Sequence, residues 1–177
     1  MAVREAELEI PAHAHEDQHK HQKLVIIAWS GDLDKVWPQM ILATTGAAMG
    51  MQTTIFFTFW GLFSLVKDGV HITGDNWMQK MMSAMSRPGI SHRPLSKMNF
   101  LGMGPWMMNR LAKQQHNASP KELLAIAQEM GVEFIPCQMT MDMFGLTKDH
   151  LVDGMSEPVG AATVIGLMTE GAAPLFI

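Results

Sequence analysis

Tyrosine is absent from the 177-residue chain, cysteine occurs once, and only 17% of residues are charged. A lone cysteine excludes an intrachain disulfide framework, a Cys-x-x-Cys redox pair and a cysteine-rich zinc site. No GxGxxG, Walker loop, GxSxG or HExxH occurs, so the common cofactor and hydrolase templates find nothing to hold, and no cofactor is expected. Basic residues are few as well: 13 Lys and Arg against 17 Asp and Glu, a formal charge of −4. A mildly acidic chain with no basic stripe does not suit nucleic acid, because phosphate contacts dominate such affinity. Methionine is in excess, with 18 residues inside a hydrophobic share of 47%. That share excludes a fully disordered chain, and the length suits one domain with a sizeable core. Methionine itself supplies adaptable packing, or a surface that meets a partner.

Residues 1–22 differ from the rest. They hold four of the eight histidines, His13, His15, His19 and His21, among seven charged residues. With no apolar h-region, the stretch reads as a solvated, disordered His-rich tail and not as a secretory signal. Alternating imidazoles can bind a divalent ion, but without a preformed site such binding is adventitious, and no metal site is assigned. Between Lys35 and Lys67 no residue is charged, a run longer than the ~20 residues of a spanning helix. Pro38, Gly50 and the β-rich stretch Thr53–Phe59 interrupt it. A buried helix followed by a buried parallel strand accounts for the run without lipid, and a membrane-associated chain is the competing reading.

Elsewhere strands and helices alternate. Leu24–Ala28 is a short apolar run, as in a strand buried on both faces. Ser30-Gly31-Asp32 leads into a helix with Pro38 in its first turn and a stop at Gly50. Thr53–Phe59 is the second strand and Trp60–Val66 a short helix. Residues 67–118 form an irregular, Met-rich insertion, with helices over Met78–Met85 and Trp106–Gln115 and breakers at Arg87-Pro88-Gly89 and Arg93-Pro94. Ser119-Pro120-Lys121-Glu122 starts a helix that runs to Met130 and closes at Gly131. Val132–Pro136 is a third strand and Glu157–Val159 a short fourth; a helix over Gly160–Glu170 and a closing strand at Ala173–Ile177 follow. Residues 23–177 are therefore expected as a single doubly wound α/β domain, with about five mainly parallel strands flanked by helices.

In such sheets ligands gather at the carboxyl ends of the strands. Trp29, Ser30, Gly31 and Asp32 belong there after the first strand, Phe59, Trp60 and Gly61 after the second, and Cys137 after the third. A helical turn over Met139–Phe144 would follow Cys137, and amides at a helix start favour a thiolate. On placement alone an inert buried cysteine and a functional thiol both stand.

The stretches Phe56-Phe57-Thr58-Phe59-Trp60-Gly61, Pro94-Leu95-Ser96-Lys97-Met98-Asn99 and Cys137-Gln138-Met139-Thr140-Met141-Asp142 resemble the DsrE/DsrF/DsrH-like family, most closely its longer branch of second- and third-type DsrE sulfur-carrier proteins. The likeness runs from about Lys23 to Ile177. It implies an α/β fold, assembly into oligomers, a cytoplasmic location and sulfur carried on a cysteine, which here falls on Cys137. The implied activity is that of a sulfurtransferase-like carrier. It loads sulfane sulfur or thiosulfonate on Cys137 and passes it to partner sulfurtransferases or sulfur-oxidising complexes, with little turnover alone. Small donors such as thiosulfate, tetrathionate or polysulfide are the implied substrates. The extra N-terminal cysteine motif of some long-branch members is missing, so a persulfide here must leave to a partner, a second subunit or a small acceptor. A peroxidase reading lacks a resolving cysteine. The alternative is a non-catalytic oligomeric binding or scaffold protein of sulfur metabolism, with a membrane-associated form among its versions and Cys137 inert.

An anionic Cys–S–S⁻ or Cys–S–SO₃⁻ product asks for donors and positive charge. Candidates are amides after Cys137, the Thr140 hydroxyl, Ser30, and a cation from Lys97 or Arg93, with Lys97 preferred because it lies inside the Pro94–Asn99 block. Trp60 and Trp29 suit either a pocket wall or core packing, and Asp142 a turn cap. Met78, Met81, Met82 and Met85 share one helical face, which suits a subunit contact or a lid over the cysteine. A membrane surface ranks below these for want of the basic face such helices carry.

Overall fold

The computed structural model describes residues 22–70, 77, 79, 81, 89–90, 93–170 and 172–177. The expected tail and most of the Met78–Met85 helix lie outside them. Four parallel strands form one sheet: β1 (Lys23–Ala28), β2 (Gln52–Phe57), β3 (Glu133–Pro136) and β4 (Ala172–Phe176), ordered β3-β2-β1-β4. The helices are α1 (Leu33–Ala48), α2 (Phe59–Leu62, continued by a 3-10 turn), α3 (Met103–Gln114), α4 (Pro120–Glu129), α5 (Gln138–Phe144) and α6 (Ala161–Thr169). Among the described residues no helix is long and apolar enough to cross a membrane.

The side-chain period of two divides β1 between two layers. Leu24, Ile26 and Ala28 point into the larger core with Val36, Met40 and Ala43 of α1 and Leu124 and Ala127 of α4. Val25 points the other way, against Val164 of α6. Sheet burial on both faces is why these strands read as continuous apolar runs. Phe57 and Phe134 stack across neighbouring strands with centroids 5.9 Å apart, and burying each ring contributes about 2 kcal/mol.

Two expectations are corrected. The short fourth strand near Val159 is one parallel bridge to Cys137 rather than a strand; Pro158 can donate no ladder bond, which limits pairing there. The sheet therefore has four strands, not five. Pro38 lies inside α1 and not in its first turn, because the helix begins at Leu33, with Asp32 at its N-cap position. The start of α4 follows the sequence reading closely: Ser119 and Glu122 form a reciprocal capping box with Pro120 behind them.

Candidate functional site

β3 ends at Pro136, the last residue in register with β2, and Cys137 is the N-cap of α5, bridged to Val159. Its amide donates to the Phe57 carbonyl at 2.9 Å, while the Gln138 amide donates to Val159 at 3.0 Å. Both donors are thus committed to holding the strand end. Cys137 is 3% exposed, packed with Val25, Phe56, Ile135 and Val164 under α6. It is a free thiol inside a packed apolar cluster.

The other predicted residues occupy the same end of the sheet but do different work. Thr140 is wholly buried, its Oγ1 3.1 Å from Thr58 Oγ1 and accepting from the Phe59 amide at 3.1 Å. It ties α5 to the loop after β2. Trp60 is 44% exposed and stacks beside Phe63 and Phe144, at 6.0 and 5.5 Å, so half of its ring packs and half faces outward. Trp29 is likewise half exposed and stacks on Phe176 at 6.1 Å. Ser30 is buried, donating to Asp32 at 3.2 Å and accepting from the Asp32 amide; it shapes its own turn. Asp142 caps no helix start, since its carboxylate accepts from Gln138 one turn back in α5.

The cation that reaches the strand ends is Arg93, not Lys97. Lys97 is exposed. Arg93 is 7% exposed and donates to the Gly31 and Trp60 carbonyls, clasping the loops after β1 and β2. Burial lowers its proton affinity while Asp32 opposes the shift; the guanidinium stays charged. Its signal in the sequence was the Arg-Pro pair: Pro94 fixes an extended turn whose carbonyl accepts from the Leu33 amide at 2.7 Å. Among the described residues no group of three or more His, Cys, Asp or Glu is arranged to hold a metal.

The neighbouring Ser96 anchors this segment to the start of α1. Its amide donates to Asp34 Oδ1 at 2.8 Å and its hydroxyl to Asp34 Oδ2. Burial works to raise the Asp34 carboxyl, but the Ser96 hydrogen bonds and the Lys35 charge outweigh it, leaving it below the ordinary value. A depressed folded value means that the unfolded chain binds more protons. This contribution is therefore present above the ordinary carboxylate range and lost as pH falls through the folded value. Ser96→Ala is expected to flatten the acid limb of a stability-against-pH curve measured by denaturant titration. An unchanged limb would place the anchor elsewhere.

The described residues form a doubly wound α/β domain with a free, buried cysteine at the carboxyl end of a parallel strand. The DsrE/DsrF/DrsH-like family model matches residues 20–176, and the chain belongs to that family. It is 37% identical over 171 residues to "Sulfur carrier protein DsrE2" of Allochromatium vinosum, covering 89% of this chain and 99% of that one. It is 36% identical over 156 residues to "Uncharacterized protein YrkE" of Bacillus subtilis, covering 88% and 97%. Two solved structures share the fold at low identity: the ychN protein from E. coli (TM-score 0.55, 12% identical) and MTH1491 from Methanobacterium thermoautotrophicum (TM-score 0.51, 14% identical). Each match covers 88% of this chain and 99% of the other.

Proposed function

We propose that the chain is a sulfur carrier that loads sulfane sulfur or thiosulfonate on Cys137 and hands it to partner proteins of a sulfur relay. The observation that carries this is the position of its single thiol, packed among apolar side chains at the strand end where such folds keep their chemistry. The kinship with a named sulfur carrier supports it. With tetrathionate, the Cys137 thiolate attacks an inner sulfur, one S–S bond breaks, Cys137 gains –S–SO₃⁻ and thiosulfate leaves with the electron pair. Discharge is the same step in reverse sense: a partner's thiolate attacks, and the Cys137 thiolate departs. No resolving cysteine in the chain competes. The apolar walls of Val25, Phe56, Ile135 and Val164 keep water and stray thiols from the loaded sulfur. Thr140 and Arg93 act by fixing the loops around that pocket. The protein works in the cytoplasm as a homo-oligomer, with the half-exposed Trp60 as a substrate contact at the strand ends and Ser30 holding the turn after β1.

Intact-mass spectrometry of the reduced protein after incubation with tetrathionate, thiosulfate or polysulfide tests the reading, beside Cys137→Ser. The expected result is an adduct on the wild type alone. One observation favours a second reading, an oligomeric scaffold with an inert thiol: Cys137 is only 3% exposed. A folded protein that takes no adduct from any donor, and none from a persulfidated partner, would establish it.

A further inference from the structure

The net charge conceals a segregation. Residues 76–121 contain seven Lys or Arg and no Asp or Glu, so all 17 anions lie in the rest of the chain with only six cations. In this stretch α3 turns its apolar stripe away from the body. Met103, Met107 and Leu111, spaced four apart, are 56%, 50% and 58% exposed, and no residue of α3 is buried. Trp106 stands beside them at 59%, with the Arg110 guanidinium 5.6 Å above its ring. At the N-terminal end Phe100 and Leu101 are pushed outward, both with positive φ (38° and 56°) that such residues adopt only at a cost. The inward side of α3 borders a cavity of about 660 Å³, where Met108 and Ala112 face Trp37, Pro38 and Ile41 and the exposed Leu111 forms the rim.

We propose that this face rests on an anionic lipid surface. The apolar stripe and the Phe100–Leu101 tip would lie at the acyl boundary, with Lys97, Arg110 and Lys113 among the phosphates. An outward apolar stripe edged by cations, carrying Trp at the rim, is the pattern of helices that lie in a membrane interface. A second copy of the chain fits poorly, because a two-fold contact would set Lys97 and Arg110 against themselves, and Glu122 lies beside Lys113 alone of the three cations. Lys97 and Arg110 form no ion pair among the described residues. An acidic protein is the competing partner, and the test below separates it from lipid. The cations were passed over in the sequence because they are spread along the segment and diluted by the acidic remainder. The inference stands apart from the sulfur chemistry.

The test is co-sedimentation of the full chain with vesicles of phosphatidylcholine, with and without phosphatidylglycerol. At low salt the wild type is expected to bind the anionic vesicles about tenfold better than the neutral ones, and to lose most of that advantage as salt shortens the Debye length. The double variant Trp106→Ser, Leu111→Ser changes only exposed side chains and is expected to bind about tenfold more weakly while keeping its circular dichroism. Arg110→Glu with Lys113→Glu is expected to abolish the preference for anionic vesicles. No binding to anionic vesicles, or variants that bind like the wild type, would overturn the proposal. Retention by polyglutamate without vesicle binding would overturn it too, and reassign the face to an acidic protein.

Discussion

Native Cys137 is expected to react with iodoacetamide about 100-fold more slowly than the same thiol in the denatured chain. The thiol is 3% exposed beneath Val164, itself 2% exposed, so reagent reaches it only when α6 lifts. An opening that costs about 3 kcal/mol corresponds to roughly that protection at 1.4 kcal/mol per tenfold. Val164→Ala thins the roof and is expected to raise the rate by about tenfold, since the same helix then covers the thiol with less buried apolar area. Fitting a single native rate by mass spectrometry is enough. A rate within threefold of the denatured chain would mean that α6 does not cover the thiol. The experiment also divides the two functional readings. In a carrier, donor loading should speed up with alkylation in Val164→Ala, because both pass through the same opening; in a scaffold only alkylation should.

The second large effect concerns the loop after β2. A Cβ placed on Gly61 would lie 2.1 Å from the Ala28 carbonyl oxygen and 2.7 Å from its carbon. Those are main-chain atoms of the central strand, held in turn by the Thr58 amide, so they cannot swing aside as a side-chain tip would. Gly61→Ala is expected to cost about 3 kcal/mol, lowering Tm by about 10 °C for a chain of this size. Gly166→Ala is the control: a Cβ there meets nothing within 4 Å, and inside α6 it is expected to add about 0.5 kcal/mol. If Gly61→Ala melts with the wild type, the close approach of these two loops is wrong.

The α/β class was legible because burial on both faces removes the polar alternation from strands and leaves short apolar runs such as Leu24–Ala28. The helix of Pro120–Glu129 was legible from local capping alone. Cys137 at a strand end followed from the same reading, and the fold agrees with it. What the sequence did not disclose depends on contacts distant along the chain. Arg93 meets Gly31 and Trp60 only once three loops are assembled. Lys97, inside the Pro94–Asn99 block, is the preferred cation on sequence alone, yet it is exposed in the fold. Thr140 was read as a donor toward the thiol, yet its hydroxyl is used by Thr58 and Phe59. The strand near Val159 failed for a smaller reason, as periodicity cannot tell one bridge from a ladder.

The pairing of β1 with β4 sets the order of events at synthesis. Lys23 and Glu170 are ion-paired although 147 positions apart, and the whole register from Lys23–Ala172 to Ile27–Phe176 joins distant stretches. While a ribosome is still producing the middle of the chain, β1 and β2 can already pair, but the far edge of β1 has nothing to bind. Long-range parallel pairing is slow because loop closure must precede any gain, and an open edge of that kind recruits other nascent chains. The thiol pocket cannot be roofed until α6, just before β4, has emerged. Cys137 is therefore most open to oxidants and alkylating metabolites in the newborn protein, before its own last helix shelters it.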